Sequence, residues 1–124
     1  MTDLLSAPWP LFDEDQMATL RDALGDEELR AMLARLPAAI AQAQQKIEEA
    51  VAAGNLEAAR RAAHGLKGVA TNFGAARIAA TAREMELETA SIEAMQERLP
   101  VLLDAMTMTF AALAERERAQ PRNG

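Results

Sequence analysis

Apolar residues recur along this chain at steps of three and four, with polar and charged residues between them. That spacing places them on one face of an α-helix. Leu29, Leu33, Leu36, Ile40, Ala43, Ile47 and Val51 form one such stripe. Leu56, Ala59, Ala63, Leu66, Ala70 and Phe73 form a second. Ile78, Ala82 and Met85 form a third, with Leu87 as a further candidate for the inward face, and Ile92, Met95, Leu99, Leu102, Met106, Phe110 and Leu113 a fourth. No stretch alternates with the period of two that a half-buried strand needs. The pattern therefore predicts an all-α chain.

Stop and start signals divide these stripes. Asp13 with Gln16 is a capping-box pattern, and Phe12 is placed to staple onto Met17, so a short first helix starts after Asp13, runs to about Ala23 and stops near Gly25. Asp26 is a good N-cap for a long second helix that ends at Gly54. Pro37 lies inside that helix and removes one backbone donor, which predicts a kink rather than a break. Asn55 starts a third helix that reaches about Phe73, and Gly74 marks a turn. A fourth helix covers Ala75 to about Thr89, Ser91 caps the last one, and Pro100 bends it. Four long amphipathic helices with short connections predict an antiparallel up-down four-helix bundle, with an extra short N-terminal helix covering one end.

The bundle should occupy residues 13–119. Residues 1–12, with Pro8 and Pro10, read either as an arm laid on the domain and anchored by Trp9 and Leu11 or as a disordered lead-in. Residues 120–124 should fray. The N-terminus has neither the basic nor the apolar region of a signal peptide, and the apolar runs are broken by Arg, Glu or Gln, so the expected setting is cytoplasmic.

Composition then removes function classes. The chain has 124 residues, a size that suits one domain. It has no cysteine, which excludes disulfides and thiolate chemistry, and a single histidine, which excludes a multi-histidine metal site. The net charge of −6 argues against nucleic acid as the main partner. No glycine-rich phosphate loop is present to bind ATP. Six of the seven methionines, Met17, Met32, Met85, Met95, Met106 and Met108, read as packing residues rather than a peptide groove.

One segment departs from bundle filler: Arg60-Arg61-Ala62-Ala63-His64-Gly65-Leu66-Lys67-Gly68-Val69-Ala70-Thr71-Asn72-Phe73-Gly74. On a helical wheel His64 falls roughly 130 degrees from the centre of the apolar stripe and is exposed. Arg60, Lys67 and Thr71 lie within about 60 degrees of it. Gly65 and Gly68 each cost about 1 kcal/mol against Ala in a helix interior, in a chain that uses Ala freely. A glycine on the solvent face does not improve the core. It lets another surface come close to the neighbouring turn. Between Ala58 and Ala82 there are the bases Arg60, Arg61, Lys67 and Arg77 and no acid, a local positive field suited to a phosphoryl group or to an acidic surface. The chemistry that a lone exposed imidazole can perform is nucleophilic capture of a phosphoryl group, with leaving-group activation supplied by a partner.

The run AHGLKGVATNFG resembles the signature of histidine-containing phosphotransfer (HPt) domains of bacterial phosphorelays. The matching positions are Ala63, His64, Leu66, Lys67, Gly68 and Gly74. The family's Leu-Glu near the end of the next helix is matched by Leu87-Glu88, or loosely by Met85-Glu86. The turns at Gly25-Asp26 and Gly54-Asn55 also resemble those of the family. The resemblance implies that His64 accepts a phosphoryl group reversibly on Nε2, from and to aspartates of response-regulator receiver domains, with a hybrid histidine kinase as a further partner. It implies no intrinsic cofactor, Mg²⁺ supplied by the receiver, and a phosphotransfer protein without ATP-dependent kinase activity. Lys67 is expected to stabilise phosphoryl charge, Gly68 to clear the docking face and Gly74 to shape the turn. Arg60, Arg61, Thr71, Asn72, Gly74 and Arg77 are expected to contact the partner, and Leu66, Val69, Phe73 and Ala76 to form an apolar rim. A second reading is a non-catalytic module that docks and holds or inhibits a receiver or kinase. A third is a structural helical protein whose histidine is incidental. The expected state is a monomer.

Overall fold

A computed structural model describes residues 9–119, and these form six helices. They are α1 (Glu14–Leu24), α2 (Asp26–Ala34), α3 (Leu36–Ala52), α4 (Leu56–Asn72), α5 (Ala76–Glu88) and α6 (Ile92–Ala119). There is no strand among the described residues. The expected tail at 120–124 and residues 1–8 of the expected arm lie outside them.

Helices α3, α4, α5 and α6 make the bundle. Helix α4 packs along α3 on one side and α5 on the other, and α6 closes the ring against α5 and α3. The core is built from the predicted stripes. Leu36, Ile40, Ile47, Leu66, Ile78, Met85, Met95 and Leu102 are fully buried. Helix α4 contributes mostly small residues, Ala59, Ala63 and Ala70, with Leu66 as its one large buried side chain. Its neighbours therefore lie close to its backbone, and its opposite face stays in solvent.

Both turns that bracket α4 have the same chemistry. At each, a glycine of positive φ follows the helix (Gly54, φ 69°; Gly74, φ 71°). The amide of Gly54 donates to Val51 O and that of Asn55 to Ala50 O. The amides of Gly74 and Ala75 donate in the same way to Thr71 O and Ala70 O. Each is a Schellman closure that satisfies the last carbonyls of its helix. Asn55 then caps α4, its side chain accepting from Ala58 N at 3.0 Å. Ser91 caps α6 by accepting from Ala94 N at 3.1 Å.

Three expectations are corrected. The long second helix is two helices, α2 and α3, separated by Arg35, whose backbone keeps αR angles (φ −88°, ψ −8°). Pro37 has no N–H to offer Leu33, so the ladder opens one turn before the ring. Leu87 is not inward but 57% exposed. The capping box at α1 is only half closed. The Asp13 side chain accepts from Gln16 N at 3.0 Å, but the Gln16 amide reaches across to donate to Thr71 O at 2.8 Å. The Asp13 N–H donates to Gly74 O at 2.9 Å. The start of α1 is thereby fastened to the α4–α5 turn, where it covers that end of the bundle. Phe12 and Met17 are both buried, as the staple requires.

Candidate functional site

His64 stands at the middle of α4 on the face opposite its alanine stripe. Its side chain is 64% exposed. One contact orients it: Nδ1 lies 2.9 Å from Oε2 of Glu86 on α5. A carboxylate only accepts, so Nδ1 carries the ring proton and donates it. The lone pair is then left on Nε2, at the edge of the ring away from Glu86. This is the tautomer a phosphoryl acceptor at Nε2 needs.

Glu86 has one hydrogen bond among the described residues, the one to His64. It is half-buried, and its second oxygen, Oε1, is buried without a hydrogen-bond partner among the described residues. An oxygen in that position does not compete with Nδ1 by turning outward to water.

Lys67 is half-buried one turn after His64, and Gly68 is exposed beside it. A Cβ built on Gly68 or on Gly65 meets nothing within 4 Å. Neither glycine is required by packing within the chain. Gly74 differs: a Cβ there comes 2.5 Å from Met17 Cε, and its φ is positive. It is buried and shapes the turn that sets α5 against α4.

Thr71, Asn72 and Arg61 are exposed. Thr71 lies on the His64 side of α4, and its carbonyl is the acceptor for Gln16. Arg60 and Arg77 are engaged within the fold. Arg60 Nη2 donates to Thr89 O at 2.5 Å, and its Nε is buried without a partner among the described residues. Arg77 Nε donates to Trp9 O at 2.7 Å, and its Nη1 lies 3.4 Å from Met108 Sδ. Of the expected apolar rim, Leu66 is core, Val69 and Phe73 are half-buried against the core, and Ala76 is half-buried.

Sequence reasoning did not place Glu86 in the site. It favoured Leu87-Glu88, and Glu88 is exposed two residues on from the imidazole's partner, toward the other side of α5. A signal was present. His64 and Glu86 are equidistant in sequence from Ala75, and two antiparallel helices joined at that turn bring equidistant residues alongside each other. The expected positive field is corrected by the same contact. Glu84, Glu86 and Glu88 of α5 stand beside the bases of α4, and Glu84 pairs with Arg98. The patch around His64 is mixed in charge.

No group of three or more His, Asp or Glu side chains among the described residues is placed to hold a metal. No helix among them is long and apolar enough to cross a membrane. A family model described as the Hpt domain matches residues 13–115. No curated protein and no solved structure matches the chain.

Proposed function

The chain belongs to the Hpt domain family, and from that premise we propose that it is a phosphorelay intermediate carrying a phosphoryl group on His64. The single observation that carries the reading is the Nδ1–Glu86 hydrogen bond at 2.9 Å on an otherwise exposed imidazole. It frees Nε2 for in-line attack.

The Nε2 lone pair attacks the phosphorus of a receiver's aspartyl phosphate. The N–P bond forms, the P–O bond to the aspartate breaks, and the aspartate leaves as a carboxylate. Nδ1 keeps its proton throughout, so the phosphorylated ring is cationic. The Glu86 carboxylate offsets that charge at hydrogen-bond distance. Lys67, one turn on, offsets the charge of the phosphoryl oxygens. Gly68 leaves room for the partner's active site over the ring. Return of the group to a second aspartate is the same step reversed. Mg²⁺ and leaving-group activation come from the receiver, and the chain needs no nucleotide site of its own.

Purified protein is incubated with receiver domains of the same genome, each charged on its aspartate with labelled phosphoryl groups and Mg²⁺. Wild type takes label within seconds to minutes, and the label is lost in acid and survives base, as a phosphoramidate does. His64→Gln takes none while still binding the receiver. Label retained by His64→Gln overturns the assignment. Binding by wild type without any transfer favours the holding or inhibitory module instead.

A further inference from the structure

One turn past His64, between α4 and α5, runs a shallow groove of about 370 Å³ whose lining includes the carboxylates of Asp13, Glu84 and Glu88. Lys67 and Thr71 of α4 form one wall and Arg83 of α5 stands on the other. Ala76, Ala79 and Ala80 make a floor of small side chains that admits close approach. At the far end of this groove lies Trp9.

Trp9 is the single tryptophan, and it is 59% exposed. Its backbone is not free. Arg77 Nε holds its carbonyl at 2.7 Å, Leu11 packs against the core, Phe12 is buried, and Asp13 N is bound to Gly74 O. The segment is thus anchored on both sides of Pro10, while the largest aromatic surface of the chain is left in water. The fold gains little from that indole.

We propose that Trp9 is an anchor of the receiver-docking surface, at the end of the groove distal to His64. This rests on the phosphorelay reading, and three observations support it. Lys67 and Thr71 belong both to the groove and to the His64 face, so the groove continues the site. A specific protein interface covers roughly 800 Å² per partner, far more than one imidazole and its neighbouring turn. At a rise of about 1.5 Å per residue, the ten-residue path from His64 to Gly74 spans about 15 Å of helix, a reach such an interface needs. Tryptophan is also the side chain most often found to dominate binding when it sits, pre-positioned, in a contact surface.

The probe is each receiver domain of the transfer panel in turn, held in its activated form by beryllofluoride and Mg²⁺ as a mimic of the aspartyl phosphate. Its Kd is measured by calorimetry against wild type, Trp9→Ala, Trp9→Phe and Leu103→Ala. Leu103 is an exposed apolar residue of α6 outside the groove, 42% accessible. Trp9→Ala is expected to weaken binding at least tenfold, Trp9→Phe to keep most of the affinity, and Leu103→Ala to leave it unchanged. Trp9 emission is expected to shift to the blue on docking. Equal Kd values for wild type and Trp9→Ala, with no emission change, overturn the proposal while leaving the phosphorelay reading intact. Trp9-dependent binding with no transfer to His64 supports the docking surface and overturns the phosphorelay reading. No binding of any receiver overturns both.

Discussion

His64 and Glu86 act as one unit. A charge-assisted hydrogen bond is worth about 1.5–3 kcal/mol, which corresponds to roughly tenfold to a hundredfold in rate if it is lost at the transition state. Glu86→Ala is therefore expected to slow receiver-to-His64 transfer by about that factor. Glu86→Gln keeps an acceptor for Nδ1–H but not the negative charge, and should fall between. Nitrogen NMR separates the two effects: the proton stays on Nδ1 in the Gln variant and distributes between both nitrogens in the Ala variant. The glycines make an opposed pair. Gly68 meets nothing, so Gly68→Ala should raise stability by about 1 kcal/mol while slowing transfer, because the new methyl stands in the docking path. Gly74→Ala should destabilise by about 1–2 kcal/mol, chiefly through its positive φ, with the end of the Met17 side chain shifting to admit the new methyl. Thermal unfolding beside a transfer assay reads both variants. A stabilised Gly68→Ala with unchanged transfer refutes the clearance role.

At the scale of elements, α4 presents the site and the other helices hold it in register. Its own buried stripe is mostly alanine, so its position depends on the turns at Gly54 and Gly74 and on larger side chains from α3, α5 and α6. Arg60 adds a tie to the end of α5 through Thr89 O. The far end of α6 is tied to the start of α1. Arg116 binds both carboxylate oxygens of Glu14, at 2.9 and 3.2 Å, and lies 5.1 Å from the centre of the Phe12 ring. The hydrogen bond from Arg116 holds the Glu14 carboxyl below its ordinary value of 4.5, against a smaller opposing effect of burial. A depressed carboxyl contributes stability above its unfolded value and loses it as pH falls through the folded one. Glu14→Gln should therefore be less stable than wild type near neutral pH, and the gap should close as pH drops below 4.5. Glu14 is largely exposed, so the gap should stay below about 1 kcal/mol and shrink with salt. Melting curves at several pH values check this. A gap that widens in acid contradicts the ion pair's role.

Across the whole molecule, what was legible in the sequence was what repeats locally. The 3.6-residue period gave the helices and most of the core, because burial of one helix face is written in the order of residues along it. Caps and glycines gave the ends of α4, because they act within one turn. Local signals also marked His64, Lys67 and Gly68, where the helix accepts a cost that its own core does not explain. The sequence by itself determined the all-α class and the family, and it singled out the exposed His64. It did not determine what stands beside that histidine. Glu86, the division of the second helix at Arg35, the inward engagement of Arg60 and Arg77, and the placement of Trp9 at the end of the groove came only with tertiary structure. Each depends on how two segments distant in the chain are rotated and slid against each other. That is set by side-chain packing between helices, and one turn of sliding, about 5.4 Å, would put a different carboxylate against His64.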